Sequence, residues 1–256
     1  MRNIRITVSY DGTSYSGFQT QPHGNTVQDY LERAIRMLSG ETVKITSSGR
    51  TDAGVHARAQ VINFTTASQI PAERWCLALN SRLPKDIVAL RADEVPLSFH
   101  ARKSAKRKTY SYTIRTARIP DTFQRRYQFH HPNPLDVDAM RDALAAILGT
   151  HDFSSFCSVK TVAESRIRTI YDAWIVEEPD QMSIEPDQPG QLRFYFTGSG
   201  FLYNMVRILV GTLIQIGEGK RPAEEMAAIL RGRNRALAGP TAEAHGLMLW
   251  NVEYAE

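Results

Sequence analysis

The chain has 256 residues, 42% hydrophobic and 23% charged, the balance of an ordinary folded protein. At about 100–200 residues per domain this implies one large or two small domains, with enough chain to bury a full core. Its 31 basic and 27 acidic residues leave a charge of +4 and a pI near 9.1, permissive for nucleic acid, while two cysteines without a CxxC pair exclude a zinc framework or a disulfide scaffold.

The N-terminus, Met1-Arg-Asn-Ile-Arg-Ile, turns polar at once, so no secretory leader is expected. Ile4, Ile6, Val8 and Tyr10 alternate and predict a strand ending at the Asp11-Gly12 turn signal. Val27, Tyr30, Leu31, Ala34, Ile35 and Leu38 recur at helical spacing, with Thr26 as N-cap, Asp29 at the capping-box position and Gly40 as the stop. Val43 to Thr46 and Gln60 to Thr65 read as strands separated by the polar run Ser47 to Arg58. A second helix opens near Pro71 and turns Trp75, Leu79 and Leu83 inward, and Ile87 to Ala92 closes the half as a strand.

The same order, β-α-β-β-α-β, returns without any sequence repeat. Tyr110, Tyr112 and Ile114 mark a strand, and Met140, Leu144, Ile147 and Leu148 a helix ending at Gly149. Strands at Ile170 to Val176 and Leu192 to Phe196 follow. A helix from about Leu202 to Ile216, a short one after Pro222 and a strand through Met248, Trp250 and Val252 complete the chain. The longest apolar stretch, Phe201 to Ile216, holds Asn204, Arg207 and Gln215 and is too short to span a bilayer. The expected fold is therefore α+β, two ferredoxin-like halves (1–101 and 102–256) joined around a central mixed or antiparallel sheet with a basic cleft between them. A soluble cytoplasmic protein with no membrane partner is expected.

The most informative segment is Ser48-Gly-Arg-Thr-Asp-Ala-Gly-Val-His-Ala57, where two glycines surround Arg50, Thr51, Asp52 and His56. A carboxylate on such a turn beside arginines can stay ionised and act as nucleophile or base. Taken alone, these residue types favour a polar turn carrying a solvated aspartate, because Asp and Gly form turns anyway. Arg207 alone reads as a snorkelling surface arginine, and Tyr110 as a core-facing strand aromatic on the face of Tyr112. Arg102, Lys103, Lys106, Arg107 and Lys108, with Arg125 and Arg126 further on, form a basic run that reads first as solvated surface and otherwise as a phosphate contact. The seven histidines show no ligand spacing, so no metal site is expected.

Gly49-Arg-Thr-Asp-Ala-Gly-Val-His-Ala57 resembles the catalytic motif of the TruA family of tRNA pseudouridine synthases. Five further blocks follow that family's order: Tyr10 to Pro22 with Thr26-Val-Gln28, Phe99-His-Ala-Arg102, Gly149 to Phe156, Gly200 to Arg207, and Ala238-Gly-Pro-Thr-Ala242. The resemblance spans essentially the whole chain. It departs at Phe18, where the family usually has Trp, and at Glu243, where many relatives carry Pro.

The resemblance implies conversion of uridine to pseudouridine at positions 38, 39 and 40 of the tRNA anticodon stem-loop. It implies no cofactor, because the N1–C1′ bond breaks and a C5–C1′ bond forms without redox change. Asp52 is implied as the essential carboxylate, adding to C1′ or removing the C2′ proton. Arg207 is implied as its ion-pair partner, Tyr110 as the ring stacked on the uracil and Arg50 as the wedge in the space of a flipped base. Homodimers are implied too. The competing class is a non-catalytic RNA-binding protein of ferredoxin-like units, against which the absence of an RNP-like aromatic motif counts. A two-metal nuclease lacks the further carboxylates it needs.

Overall fold

The computed structural model describes residues 1–179 and 189–255 and has an α+β fold of two compact units, 1–106 with 248–256, and 107–247. No helix among the described residues is long and apolar enough to cross a membrane.

In the first unit, β1 (Arg2–Tyr10) lies antiparallel between β3 (His56–Thr66) and β4 (Ile87–Val95). The short β2 (Thr46–Ser47) pairs with the far side of β3, since Ile62 faces both Ile6 and Ser47. The order β4-β1-β3-β2 is the split βαβ arrangement that the alternation of elements implies. Beside β2, the last strand, β10 (Leu247–Tyr254), pairs in parallel with β3 at His56 and Ala57. Ile4, Ile6 and Val8 are fully buried at the core with Leu31 and Ile35 of α1 (Val27–Ser39), and Trp75 of α2 (Trp75–Asn80) meets Phe64 edge-on at 5.2 Å.

Helix α1 begins and ends as expected. Thr26 accepts from the Asp29 amide while the Asp29 carboxylate accepts from the Thr26 amide, and Gly40 closes the helix at φ 74°. Two strands differ from expectation. Val43 to Ile45 is not strand: the Ile45 amide donates to the Glu32 side chain of α1 (3.0 Å), so its hydrogen bond goes to a helix instead of a ladder. β3 starts earlier, at His56, because Ala57 pairs with Tyr10 of β1, a partner far away in sequence.

In the second unit, β5 (Ala105–Arg115), β9 (Pro189–Gly198), β8 (Ile167–Pro179) and β7 (Gly149–Asp152) lie antiparallel in that order, with β6 (Phe129–His130) parallel at the end of β5. β9 is thus inserted between β5 and β8, again the split βαβ order. Helices α3 (Val137–Ala145), α4 (Met205–Gly217) and α5 (Glu225–Gly232) complete the unit; Met140, Leu144, Leu209 and Leu213 are buried. α3 stops before the expected Gly149, as Ala146, Ile147 and Leu148 tighten to three-residue hydrogen bonds and Gly149 opens β7. α4 starts three residues after Leu202, because Asn204 has left-handed backbone (φ 62°, ψ 8°).

Thr26 is fully buried, so Thr26→Ala removes both a cap and a satisfied hydroxyl. Urea titration should register a loss of about 1 kcal/mol, reaching about 2 at most; an unchanged midpoint would mean that the cap contributes nothing.

Candidate active site

The loop from Ser48 to Val55 is held at its base, along its flank and at its tip. At the base, Gln60 is fully buried on β3; its amide oxygen accepts from Ser48 Oγ (2.5 Å) and its amide nitrogen donates to Gly49 O (2.9 Å). The Ser48 amide also donates to Val61 O at 2.7 Å.

Along the flank, the segment after β1 presses on the loop. Tyr10, at the end of β1, shares a buried 2.7 Å hydrogen bond with Thr51 Oγ1. Burial above all pushes the Tyr10 phenol up to about 12, so the hydroxyl stays neutral and keeps this bond at ordinary pH. The Phe18 amide donates to Thr51 O (3.0 Å), so the residue before Asp52 is fixed through its side chain and its carbonyl. Gly17 lies so close that a Cβ there would stand 2.8 Å from Thr51 O, and its φ of 92° is one L side chains rarely adopt. Gly12 is closer still, its would-be Cβ 2.0 Å from Val55 O. These glycines let one backbone lie directly on another.

At the tip, the Val55 amide closes a turn on Asp52 O (3.1 Å), and Gly54 takes φ 76°. His56 is buried, with Nδ1 3.0 Å from the Gly12 amide and 3.1 Å from Asp11 Oδ1. An amide can only donate, so Nδ1 accepts, and His56 ties the glycine turn to the loop end. Asp52 is half-buried and Arg50 exposed on this frame.

The second unit carries Tyr110 and Arg207. Tyr110 lies on β5, only 8% exposed, with its ring edge-on to Phe201 at 5.1 Å. Tyr112 is fully buried and donates to Glu243 O (2.9 Å); burial chiefly raises its phenol well above the ordinary value, against the opposing pull of the nearby Arg207 charge. Arg207 donates from Nε to Ala242 O (2.7 Å) and from Nη1 to Asn204 Oδ1 (3.3 Å), while the Ala242 amide returns a bond to Arg207 O (3.0 Å). The Ala238–Ala242 segment reaches α4 this closely because a Cβ at Gly211 would stand 1.9 Å from Pro240 O.

Of the basic run, Arg102, Lys103 and Lys106 are exposed in the first unit and Arg107 is exposed in the second, its guanidinium 4.9 Å from the Tyr171 ring; Lys108 is half-buried. Arg125 and Arg126 are exposed in the second unit. Among the described residues, no group of three or more His, Cys, Asp or Glu is placed to hold a metal ion. Tyr10, Gly12, Gly17, Asn204 and Ala242 lie within the blocks that carry the resemblance and Gln60 opens an expected strand, but sequence reasoning assigned none of them a role at the site. Their signals existed only in part, as Tyr10 reads as a strand residue and the glycines as turns.

Comparison with known proteins gives a consistent result. A family model described as tRNA pseudouridine synthase matches residues 6–102 and 143–255. The chain is similar to tRNA pseudouridine synthase A of Anoxybacillus flavithermus, 49% identical with 99% of both chains covered. It is also similar to the proteins of the same name from Halalkalibacterium halodurans (49%, covering 97% of this chain and 91% of that one) and Bacillus subtilis (47%, 98% of both).

Two substitutions test the seating of the loop. Gly17→Ala forces a left-handed alanine against Thr51, at about 1–2 kcal/mol from the backbone alone, and Tyr10→Phe strands the Thr51 hydroxyl at about 1–3 kcal/mol. Both variants should melt lower and lose turnover on tRNA, and full activity in either would remove its part in holding Asp52. Glu243 offers the opposite case, since its backbone (φ −57°, ψ 146°) already suits proline. Glu243→Pro should raise stability by about 0.4–1 kcal/mol in urea titration through a less flexible unfolded chain; a lower midpoint would show that the Glu243 side chain or amide matters.

Proposed function

The chain belongs to the tRNA pseudouridine synthase family, and on that premise we propose that it converts uridine to pseudouridine at positions 38, 39 and 40 of the anticodon stem-loop, with Asp52 as the indispensable carboxylate. The enzyme is an isomerase. Breaking N1–C1′, turning the uracil and joining C5 to C1′ moves one proton from C5 to N1 overall and needs no group donor.

The observation that supports Asp52 is its seat. The neighbouring Thr51 is held through its hydroxyl by Tyr10 and through its carbonyl by Phe18, while Gln60 fixes the start of the loop. A reacting carboxylate must meet C1′ or the C2′ proton at a fixed distance, and a turn fixed this way avoids the entropy of finding that position at each turnover. In this reading the half spanning 1–101 carries the catalytic loop. The half spanning 102–256 supplies Tyr110 as the stacking ring and Arg207 as partner of the carboxylate. Arg207 would hold Asp52 ionised and oriented. The setting of the Tyr110 ring against Phe201 supports a stacking platform, whose hydroxyl can relay the C5 proton late in the reaction, accepting it as its own proton passes on.

Arg50 is exposed one residue before the fixed Thr51, a position suited to filling the gap left by a flipped base. Arg102, Lys103, Lys106, Arg107 and Lys108 are the phosphate contacts, leading along the chain to Tyr110. The enzyme acts in the cytoplasm as a homodimer, the state its family resemblance implies.

The test is pseudouridine mapping on an unmodified tRNA transcript with uridines at the three positions, using wild type, Asp52→Asn and Asp52→Ala. Wild type should modify those uridines and both variants should be inactive, with tRNA binding retained. Modification elsewhere on the tRNA would refute the position, and turnover by Asp52→Asn would refute the carboxylate. Binding should weaken by about 0.7–0.9 log units per tenfold salt for each phosphate held; a flat salt dependence would remove the basic run from the interface.

A further inference from the structure

Asn204 stands at the N-cap of α4, where an asparagine side chain ordinarily accepts from an amide in the first turn. Here it makes no cap hydrogen bond, and its backbone is left-handed, at φ 62° and ψ 8°. A non-glycine residue in that region carries a conformational cost, lower for Asn than for most, and such residues collect at functional sites. Its Oδ1 instead accepts from Arg207 Nη1, three residues on and still in the first turn of α4. A cap that stabilises the helix has been exchanged for a contact that orients one guanidinium.

The other side of the same guanidinium is fixed by Ala242 O at Nε. With two of its nitrogens held by an amide oxygen and a backbone oxygen, the plane of the guanidinium is set. We propose that Asn204 is a positioning residue for Arg207: its amide oxygen, presented by the left-handed backbone, sets the plane in which Arg207 serves the reaction. The proposal rests on the assignment of Arg207 to the catalytic carboxylate.

Asn204→Gly removes the oxygen while suiting the left-handed backbone, and Asn204→Asp keeps an oxygen in the same place. Single-turnover rates and KM are measured on the tRNA transcript, alongside thermal melting and an Arg207→Ala control. Asn204→Gly is expected to lose about 10- to 100-fold in rate with KM little changed, because a slightly misdirected group near the reacting atoms costs that much. Its melting temperature should equal or exceed that of wild type, and Asn204→Asp should recover most of the rate. A wild-type rate in Asn204→Gly, with Arg207→Ala inactive, overturns the positioning role alone. So does a rate loss matched by a fall in melting temperature, which marks a merely structural residue, or a failure of Asn204→Asp to recover activity. A wild-type rate in Arg207→Ala overturns the assignment of Arg207 itself.

Discussion

The close approach of the Gly12–Phe18 segment to the Thr51–Val55 turn is the constraint on which the candidate site depends. The Ser48–Val55 loop is mostly polar, with Val55 buried at its end, so much of its position comes from hydrogen bonds and backbone contact with something already rigid. β1 provides that rigidity. Its buried Ile4, Ile6 and Val8 fix the strand in the core, and Tyr10 and the residues after it carry that fixity to the loop. Because Gly17 has no side chain, Thr51 O and the Phe18 amide come within hydrogen-bonding distance, and bulk at either glycine would separate the two backbones.

How much of this was legible in the sequence depends on the range of each interaction. The cap of α1 was readable to the residue, since Thr26, Asp29 and Gly40 act on atoms a few positions away. The β-α-β-β-α-β order was readable from periodicity in the first unit; in the second half β6 and β7 were not foreseen, and the last strand, β10, belongs to the first unit beside β3. Of the expected strand at Val43 to Thr46 only Thr46 is strand, because Glu32, on the preceding helix, takes the Ile45 amide, and a propensity for strand says nothing about where an amide finds its acceptor. β3 was read as too short for the same kind of reason: His56 and Ala57 are polar-run residues recruited by strands far off in sequence.

The candidate site was legible in a different way. Residue types alone favoured a solvated turn aspartate at Asp52, and only the resemblance of the surrounding block raised it to a catalytic group. The physical cause is that the residues holding the Asp52 loop lie elsewhere along the chain, at Tyr10, Gly17, Phe18 and Gln60. Asn204 shows the limit most clearly. Periodicity places it inside a helix from about Leu202, and nothing local announces that it precedes the helix with a left-handed backbone and its oxygen turned to Arg207.

The two units fix their functional side chains by the same means, a second segment brought to backbone distance where glycine leaves room. In the first, Gly12 and Gly17 admit the Asp52 loop; in the second, Gly211 admits Pro240 and brings Ala242 O onto Arg207. Two of the blocks that resemble the family signature, Tyr10 to Pro22 with Thr26-Val-Gln28 and Ala238 to Ala242, therefore contain none of the reacting groups proposed above and still hold segments that carry proposed ones. Side chains at such contacts can vary only where they point away from the shared backbone. Phe18 meets the loop through its amide and Glu243 meets Tyr112 through its carbonyl, so both bonds come from atoms every residue has in that position or, for the Glu243 carbonyl, from one that proline has as well. At Glu243 the backbone carbonyl makes the contact, whereas the Phe18 side chain is itself fully buried with its ring 6.1 Å from that of Tyr10, so an aromatic ring is kept there.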